Sequence, residues 1–107
     1  MWEDRVYSFI GLARKAGSVA PGDMACENAL KYGKAQLVII SSDASSNTQK
    51  RMAQLCGAKE VNWVLFGTKS KMGEALGREM FSVIAITDRR FSERLMELIK
   101  NNSDHAN

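Results

Sequence analysis

Gly22-Asp23-Met24-Ala25-Cys26-Glu27-Asn28-Ala29-Leu30-Lys31-Tyr32-Gly33-Lys34-Ala35-Gln36-Leu37-Val38-Ile39-Ile40-Ser41-Ser42-Asp43 carries a helix, a turn and a buried strand in one run. Cys26, Ala29, Leu30 and Gly33 recur at i, i+3, i+4 and i+7, the single apolar stripe of a helix laid against a core. Met24, Asn28 and Tyr32 form the opposite stripe and are expected to point away from that core. Gly33-Lys34-Ala35 reads as a turn. Leu37-Val38-Ile39-Ile40 is a continuous apolar run, the pattern of a strand covered on both faces. A strand of that kind needs helices above and below it, which makes the chain an α/β protein.

Outward from this block the same alternation continues. Towards the N-terminus, Glu3 to Lys15 is a helix with Val6, Phe9, Ile10 and Ala13 on one side, ended by Ala16-Gly17. Ser18-Val19-Ala20 is a short edge strand, and Pro21-Gly22 is turn punctuation. Asp23 then places a carboxylate at a helix N-terminus, where the dipole favours it. Beyond Ile40, Ser41 to Asn47 is a polar loop, followed by a helix that turns Thr48, Met52, Leu55 and Cys56 inward. Val61 to Phe66 is the next strand, closed by Gly67, and Ser70 to Leu76 is a short helix ending at Gly77. Val83 to Thr87 is a second fully buried strand. Asp88 caps a last helix with Phe91, Leu95, Leu98 and Ile99 on its inner face. Residues 101–107 have no apolar anchor and are expected to fray, leaving a domain over residues 1–100. At most four strands are present, and their order does not follow from the pattern.

The 107 residues suffice for one core but not for two. Apolar residues make up 45% and charged residues 25%, an ordinary globular balance. No stretch approaches the roughly 18 consecutive apolar residues of a membrane span. Met1-Trp2-Glu3-Asp4-Arg5 has acids where a secretory signal needs bases, so a cytoplasmic location without membrane attachment is expected. The net charge is +3, and the excess is concentrated in residues 50–78. There Lys50, Arg51, Lys59, Lys69, Lys71 and Arg78 outnumber Glu60 and Glu74. Such a stretch attracts polyanions, or else forms a solvated face of mixed charge.

Catalysis has few candidates. The one histidine, His105, lies in the polar tail, and neither Cys26 nor Cys56 belongs to a Cys-x-x-Cys pair. Both cysteines read as small buried hydrophobes, so neither a zinc site nor a Cys–His nucleophile is expected. Asp43 and Asp88 follow strands, where α/β enzymes hold catalytic groups, but each also suits a helix cap or a loop acceptor. Ser41, Ser42, Ser45 and Ser46 lack a general base. Neither a Gly-x-Gly-x-x-Gly fingerprint nor a Walker-type Gly-Lys-Ser/Thr is present. Gly22 opens a helix whose free N–H groups could meet a phosphate, one on an RNA backbone included. No cofactor or metal is called for.

Three blocks, in order and spacing, resemble one family across about Val6 to Ile99. They are Gly22 to Asp43, Lys69-Ser70-Lys71-Met72-Gly73-Glu74-Ala75-Leu76-Gly77, and Phe81 to Asp88 followed by Phe91. The resemblance is to the kink-turn-binding ribosomal proteins of the L7Ae/L30e superfamily. Asp43-Ala44-Ser45-Ser46-Asn47-Thr48, with Gly11-Leu12-Ala13, is similar to its bacterial YlxQ-type branch. The resemblance implies a three-layer α-β-α sandwich around a four-stranded mixed sheet, with non-catalytic binding of structured RNA as the function. Ribosomal or other non-coding RNA, and association with the ribosome, are the expected partners. In that family the helix from Gly22 enters beside sheared G·A pairs, and the loop Arg78-Glu79-Met80-Phe81 covers an extruded base.

Carried over by position, the RNA-binding residues are Gly22, Asp23, Met24, Asn28, Lys31, Tyr32, Lys34, Arg78 and Met80. Gly22 allows close backbone approach, Lys31 and Lys34 pair with phosphates, and Met80 packs against a base. The chain departs from the family where its recognition helix commonly begins Asn-Glu. Those positions are Met24 and Ala25, and two customary basic positions are Asn28 and Tyr32. Met24 and Ala25 bring no polar side-chain atoms, Asn28 brings no charge, and Tyr32 offers a ring for stacking. Two rival readings follow: a protein-interaction module that kept the fold and lost kink-turn recognition, and a small-molecule enzyme using Asp43 or Asp88.

Overall fold

The computed structural model describes residues 1–78 and 80–105 of the chain. Among them, helices and strands alternate as α1 (Trp2–Lys15), β1 (Val19–Pro21), α2 (Asp23–Lys31), β2 (Leu37–Ile40), α3 (Ser46–Lys59), β3 (Asn62–Leu65), α4 (Lys69–Leu76), β4 (Val83–Ile86) and α5 (Arg89–His105). The four strands form one sheet in the order β1-β4-β2-β3. β4 runs antiparallel to both neighbours, whereas β2 and β3 are parallel. The sheet is therefore mixed.

Two apolar clusters sit on its two faces. Leu37 and Ile39 of β2 and Ile84 and Ile86 of β4 pack with Val6 and Ile10 of α1, Met72 and Leu76 of α4, and Leu95 and Ile99 of α5. The alternate residues, Val38 and Ile40 with Val83 and Ala85, pack with Cys26, Ala29 and Leu30 of α2 and Met52 and Cys56 of α3. Successive strand residues point to opposite faces, so the two continuous apolar runs supply both cores at once. The result is the α-β-α sandwich expected from the pattern.

Four local expectations need correction. Gly33 is exposed rather than packed in the core, because α2 stops at Lys31 and Gly33 takes φ 70° just past the end. It is the left-handed residue of a helix stop, and Ala35 fills the core position instead. α3 starts at Ser46, inside the expected loop, because Ser45 caps it by accepting from the Thr48 N–H at 3.2 Å. Thr48 accordingly bonds its hydroxyl to Ser45 at 3.0 Å and serves the cap, not the core. Residues 101–105 continue α5, where Asn102 Nδ2 donates to the Leu98 carbonyl at 2.7 Å and no Gly or Pro interrupts the turn. Residues 106 and 107 of the expected tail lie outside the described residues.

Gly67 sets a close contact between the turn after β3 and the middle of α1. It sits at φ 72°, and a Cβ there would overlap the Tyr7 phenol, whose oxygen accepts from the Thr68 N–H at 3.2 Å. Gly77 has the same φ with open space around it. Gly67→Ala should therefore cost about 2–4 kcal/mol, strain plus overpacking, against about 1 kcal/mol for Gly77→Ala, strain alone. Urea unfolding of both variants measures the difference; equal losses would mean that Tyr7 moves aside freely.

Candidate nucleic-acid interface

The end of the sheet where β2 leaves and β4 enters gathers three chain segments. Because β2 and β4 are antiparallel, the loop after Ile40 lies beside the loop before Val83. The Ser41 N–H donates to the Ser82 carbonyl at 2.8 Å, and its fully buried hydroxyl donates to the Phe81 carbonyl, also at 2.8 Å. β3 joins them through the Ser42 N–H, which donates to the Gly67 carbonyl at 2.8 Å. The Phe81 N–H donates to the Lys69 carbonyl at 3.1 Å, and the Lys69 N–H donates to Asp43 Oδ1 at 2.9 Å. These bonds hold an otherwise irregular edge in one arrangement.

The start of α2 enters this edge through Gly22. Its φ of 94° and ψ of 166° suit glycine, and its N–H donates to the Val83 carbonyl at 2.9 Å. A Cβ on Gly22 would stand 3.7 Å from Phe81 Cε1, so the first turn of α2 lies against the loop that carries Arg78 and Met80. No side chain caps α2, so among the described residues the N–H groups of its first turn have no side-chain partner. Met24 is 77% and Met80 55% exposed, and Arg78 is exposed as well. Glu79, placed with them by sequence, lies outside the described residues.

The remaining site residues line α2 towards its other end. Asn28 is exposed in the stripe of Met24, and Lys31, Tyr32 and Lys34 are exposed at and beyond the helix C-terminus. Lys31 Nζ stands 5.6 Å from the centroid of the Tyr32 ring, a cation–π pair on the surface. At about 1.5 Å per residue the two ends of α2 are roughly 12–14 Å apart. The structure thus arranges the nine residues as a loop-flanked pole, a connecting stripe and a basic–aromatic pole.

Asp23 stands in the first turn of α2, as expected, and also makes a contact that the sequence does not announce. Its carboxylate is held by Arg51 of α3, with Nη2 3.0 Å from Oδ2, and Glu27 pairs with the same guanidinium. Sequence marks Arg51 only as one cation of the stretch 50–78 and not as a partner of Asp23, because a pair between residues 28 positions apart has no local signature. The basic stretch 50–78 also does not form one patch. Lys50 and Lys59 belong to α3 on one face of the sheet, and Lys69 and Lys71 belong to α4 on the other.

The catalytic candidates separate. Asp88 caps α5, accepting from the Phe91 N–H at 3.0 Å, and Asp43 serves the Lys69 N–H. Since β2 and β4 are antiparallel, Asp43 and Asp88 stand at opposite ends of the sheet and share no cleft. Cys26 and Cys56 are both free and fully buried. Burial pushes the Cys56 thiol up to about 11. Burial, then the Asp23 carboxylate, then Cys56 push the Cys26 thiol well above its ordinary range. Both are poor nucleophiles, as expected of core residues.

The profile of the ribosomal protein L7Ae/L30e/S12e/Gadd45 family matches residues 4–96. The chain belongs to this family. It is 30% identical over 93 residues to the RNA-binding protein YlxQ of Bacillus subtilis, covering 87% of this chain and 93% of that protein. Against the RNA-binding protein YlxQ of Enterococcus faecium it is 27% identical over 96 residues, 90% of this chain and 92% of the other. Among solved structures, a Bacillus halodurans protein of unknown function superposes with a TM-score of 0.85 at 33% identity, over 89% of this chain and 96% of its own. The Giardia lamblia 15.5kD RNA binding protein shares the fold, with a TM-score of 0.74 at 19% identity, over 94% and 86%. The curated relatives are named for binding RNA, not for catalysis.

Within this family member, Ser41 is the bond that ties the α4–β4 loop to β2. Ser41→Ala should cost about 1–2 kcal/mol, since the Phe81 carbonyl loses a buried donor. Hydrogen exchange should also rise at residues 80–82 before it rises in β4. Unchanged exchange there would show that the backbone bonds suffice to order the loop.

Proposed function

We propose that this protein binds structured RNA and performs no chemistry on it. One observation carries the reading: the uncapped first turn of α2 and the Arg78–Met80 loop meet at one end of the sheet, on a chain of the L7Ae/L30e/S12e/Gadd45 family. Open N–H groups at a helix start favour phosphate, and an exposed flexible Met80 offers apolar contact to an unstacked base. Lys31 and Lys34 at the far pole supply phosphate pairing, and Tyr32 supplies a stacking face. The names of the YlxQ relatives support the same reading.

The finer proposal is a kink-turn in ribosomal or other non-coding RNA, bound in the cytoplasm and in association with the ribosome. Met24, Ala25 and Asn28 stand where the family's polar and basic contacts are expected, so such binding is weaker here than in members that carry them. A protein-interaction module is the second reading. It is favoured by the 77%, 66% and 55% exposure of Met24, Tyr32 and Met80 around the same surface.

Affinity for folded RNA should exceed affinity for duplex DNA of equal length. With Lys31, Lys34 and Arg78 on phosphates, and a slope of about −0.7 to −0.9 for each, raising salt from about 50 to 200 mM should weaken binding about 20–40-fold. Filter binding across that range measures the slope; a slope near zero, or equal binding of DNA, would favour the protein-interaction reading.

The departures can be reversed. Met24→Asn, Ala25→Glu and Asn28→Lys together should raise affinity for a standard kink-turn by about 1–3 kcal/mol, less than the sum of three good polar contacts because ordering the new side chains costs entropy. Calorimetry on the wild type and a folded triple variant measures it. No gain would mean that α2 does not face RNA in this way.

A further inference from the structure

Arg51 places a guanidinium beside the start of α2, and it reaches there from another helix. Its Nη2 lies 3.0 Å from Asp23 Oδ2, and its Nη1 pairs with Glu27 Oε1. Asp23 is the first residue of α2 and Glu27 lies one turn on, so both carboxylates occupy the flank that faces α3. None of the three is buried: their side chains are 41%, 48% and 44% exposed.

This arrangement sits beside the uncapped first turn through which the proposed phosphate contact runs. Left to themselves, two carboxylates on one flank present about two negative charges to an approaching polyanion. The Asp23 carboxylate would also compete for the open N–H groups, since an acid in the first turn is drawn to them. Arg51 changes both. It halves the net charge of the flank, and its planar fork holds two carboxylates in fixed positions, which a lysine's point charge does less well. The pair also fixes α2 to α3 near the N-terminal end of α2, the part that faces the Arg78–Met80 loop.

We propose that Arg51 is a positioning residue for RNA binding: it draws Asp23 and Glu27 aside and so leaves the first turn of α2 available to a phosphate. This rests on the RNA-binding reading above. The rival use of the same side chain is a direct grip on phosphate, in which case the carboxylates are bystanders. The two uses predict different couplings.

Arg51→Gln should weaken binding of a folded RNA about 3–10-fold at 50 mM salt, and the defect should shrink towards nothing near 500 mM as the freed carboxylates are screened. Asp23→Asn with Glu27→Gln should strengthen binding about 2–5-fold. Arg51→Gln added to that neutral background should change affinity less than 2-fold, the non-additivity of residues that act through one another. Arg51→Lys should fall between wild type and Arg51→Gln. Circular dichroism and melting confirm the fold of each variant, and the neutral pair Asp23→Asn/Glu27→Gln carries the test if Arg51→Gln does not fold. An equal loss from Arg51→Gln in both backgrounds overturns the proposal in favour of a direct phosphate contact. An unmoved affinity in folded Arg51→Gln, or a loss in the neutral pair, overturns it too. Wild-type protein that binds no RNA at 50 mM salt overturns the RNA reading itself and this inference with it, an outcome distinct from a binding protein whose Arg51 variants are silent.

Discussion

The antiparallel pairing of Leu37–Ile40 with Val83–Ile86 is the constraint from which the rest of the molecule follows. All eight residues are buried, four towards each helical layer, so neither strand can shift by one residue without exchanging its two faces. Both cores are thereby locked to a single register. The pairing also brings the exit of β2 beside the entry of β4, and there Ser41 reaches the Phe81 and Ser82 carbonyls. Strand direction brings the segment before β4 to this edge, and bonds at Ser41, Arg78 and Phe81 then hold it there. Gly22 completes the edge by bonding the Val83 carbonyl, which fixes where α2 begins.

For the RNA binding proposed above, the candidate surface offers backbone geometry more than charge. A net charge of +3 over 107 residues is small, and the cations of residues 50–78 are divided between the two faces of the sheet. What remains near the surface is a short set: Lys31 and Lys34 at one pole, Arg78 at the other, and Arg51 engaged by two acids. Recognition built on so few charges must draw on shape, an open helix start and exposed side chains such as Met80 and Tyr32. Folded RNA, with its unstacked bases and fixed phosphate path, presents the complementary features.

Much of this was legible in the sequence, for identifiable reasons. The runs Leu37–Ile40 and Val83–Ile86 announce doubly covered strands because no polar residue interrupts them, and the 3.6-residue stripe of Cys26, Ala29 and Leu30 fixes the buried face of α2. Family resemblance then marked out a candidate surface, which periodicity could not do. What escaped was long-range or dependent on one dihedral angle. Gly33 looks like a core residue by spacing, yet the helix ends two residues earlier and uses it to turn. The order β1-β4-β2-β3 has no local signature, and hence neither does the separation of Asp43 from Asp88. Arg51 is a solvated cation by pattern alone; only the packing of α3 on α2 makes it a partner of Asp23 and Glu27.

The division between what holds the fold and what faces outward also bears on the unusual start of α2. Met24 and Asn28 are exposed and carry little of the core, whereas Gly22, Cys26, Ala29 and Leu30 hold the helix in place. Substitution at positions 24 and 28 is accordingly cheap for stability and costly only for whatever the surface binds. Ala25, half-buried on the other flank, removes polar atoms without leaving a cavity that the fold must tolerate. A chain can thus retain the helix start, the adjoining loop and the distance between the two poles while altering the side chains that read a particular RNA. The fixed part of the surface is the part made of backbone, and it is tied to the same strand pairing that makes the cores. Recognition can drift on this scaffold further than its shape can.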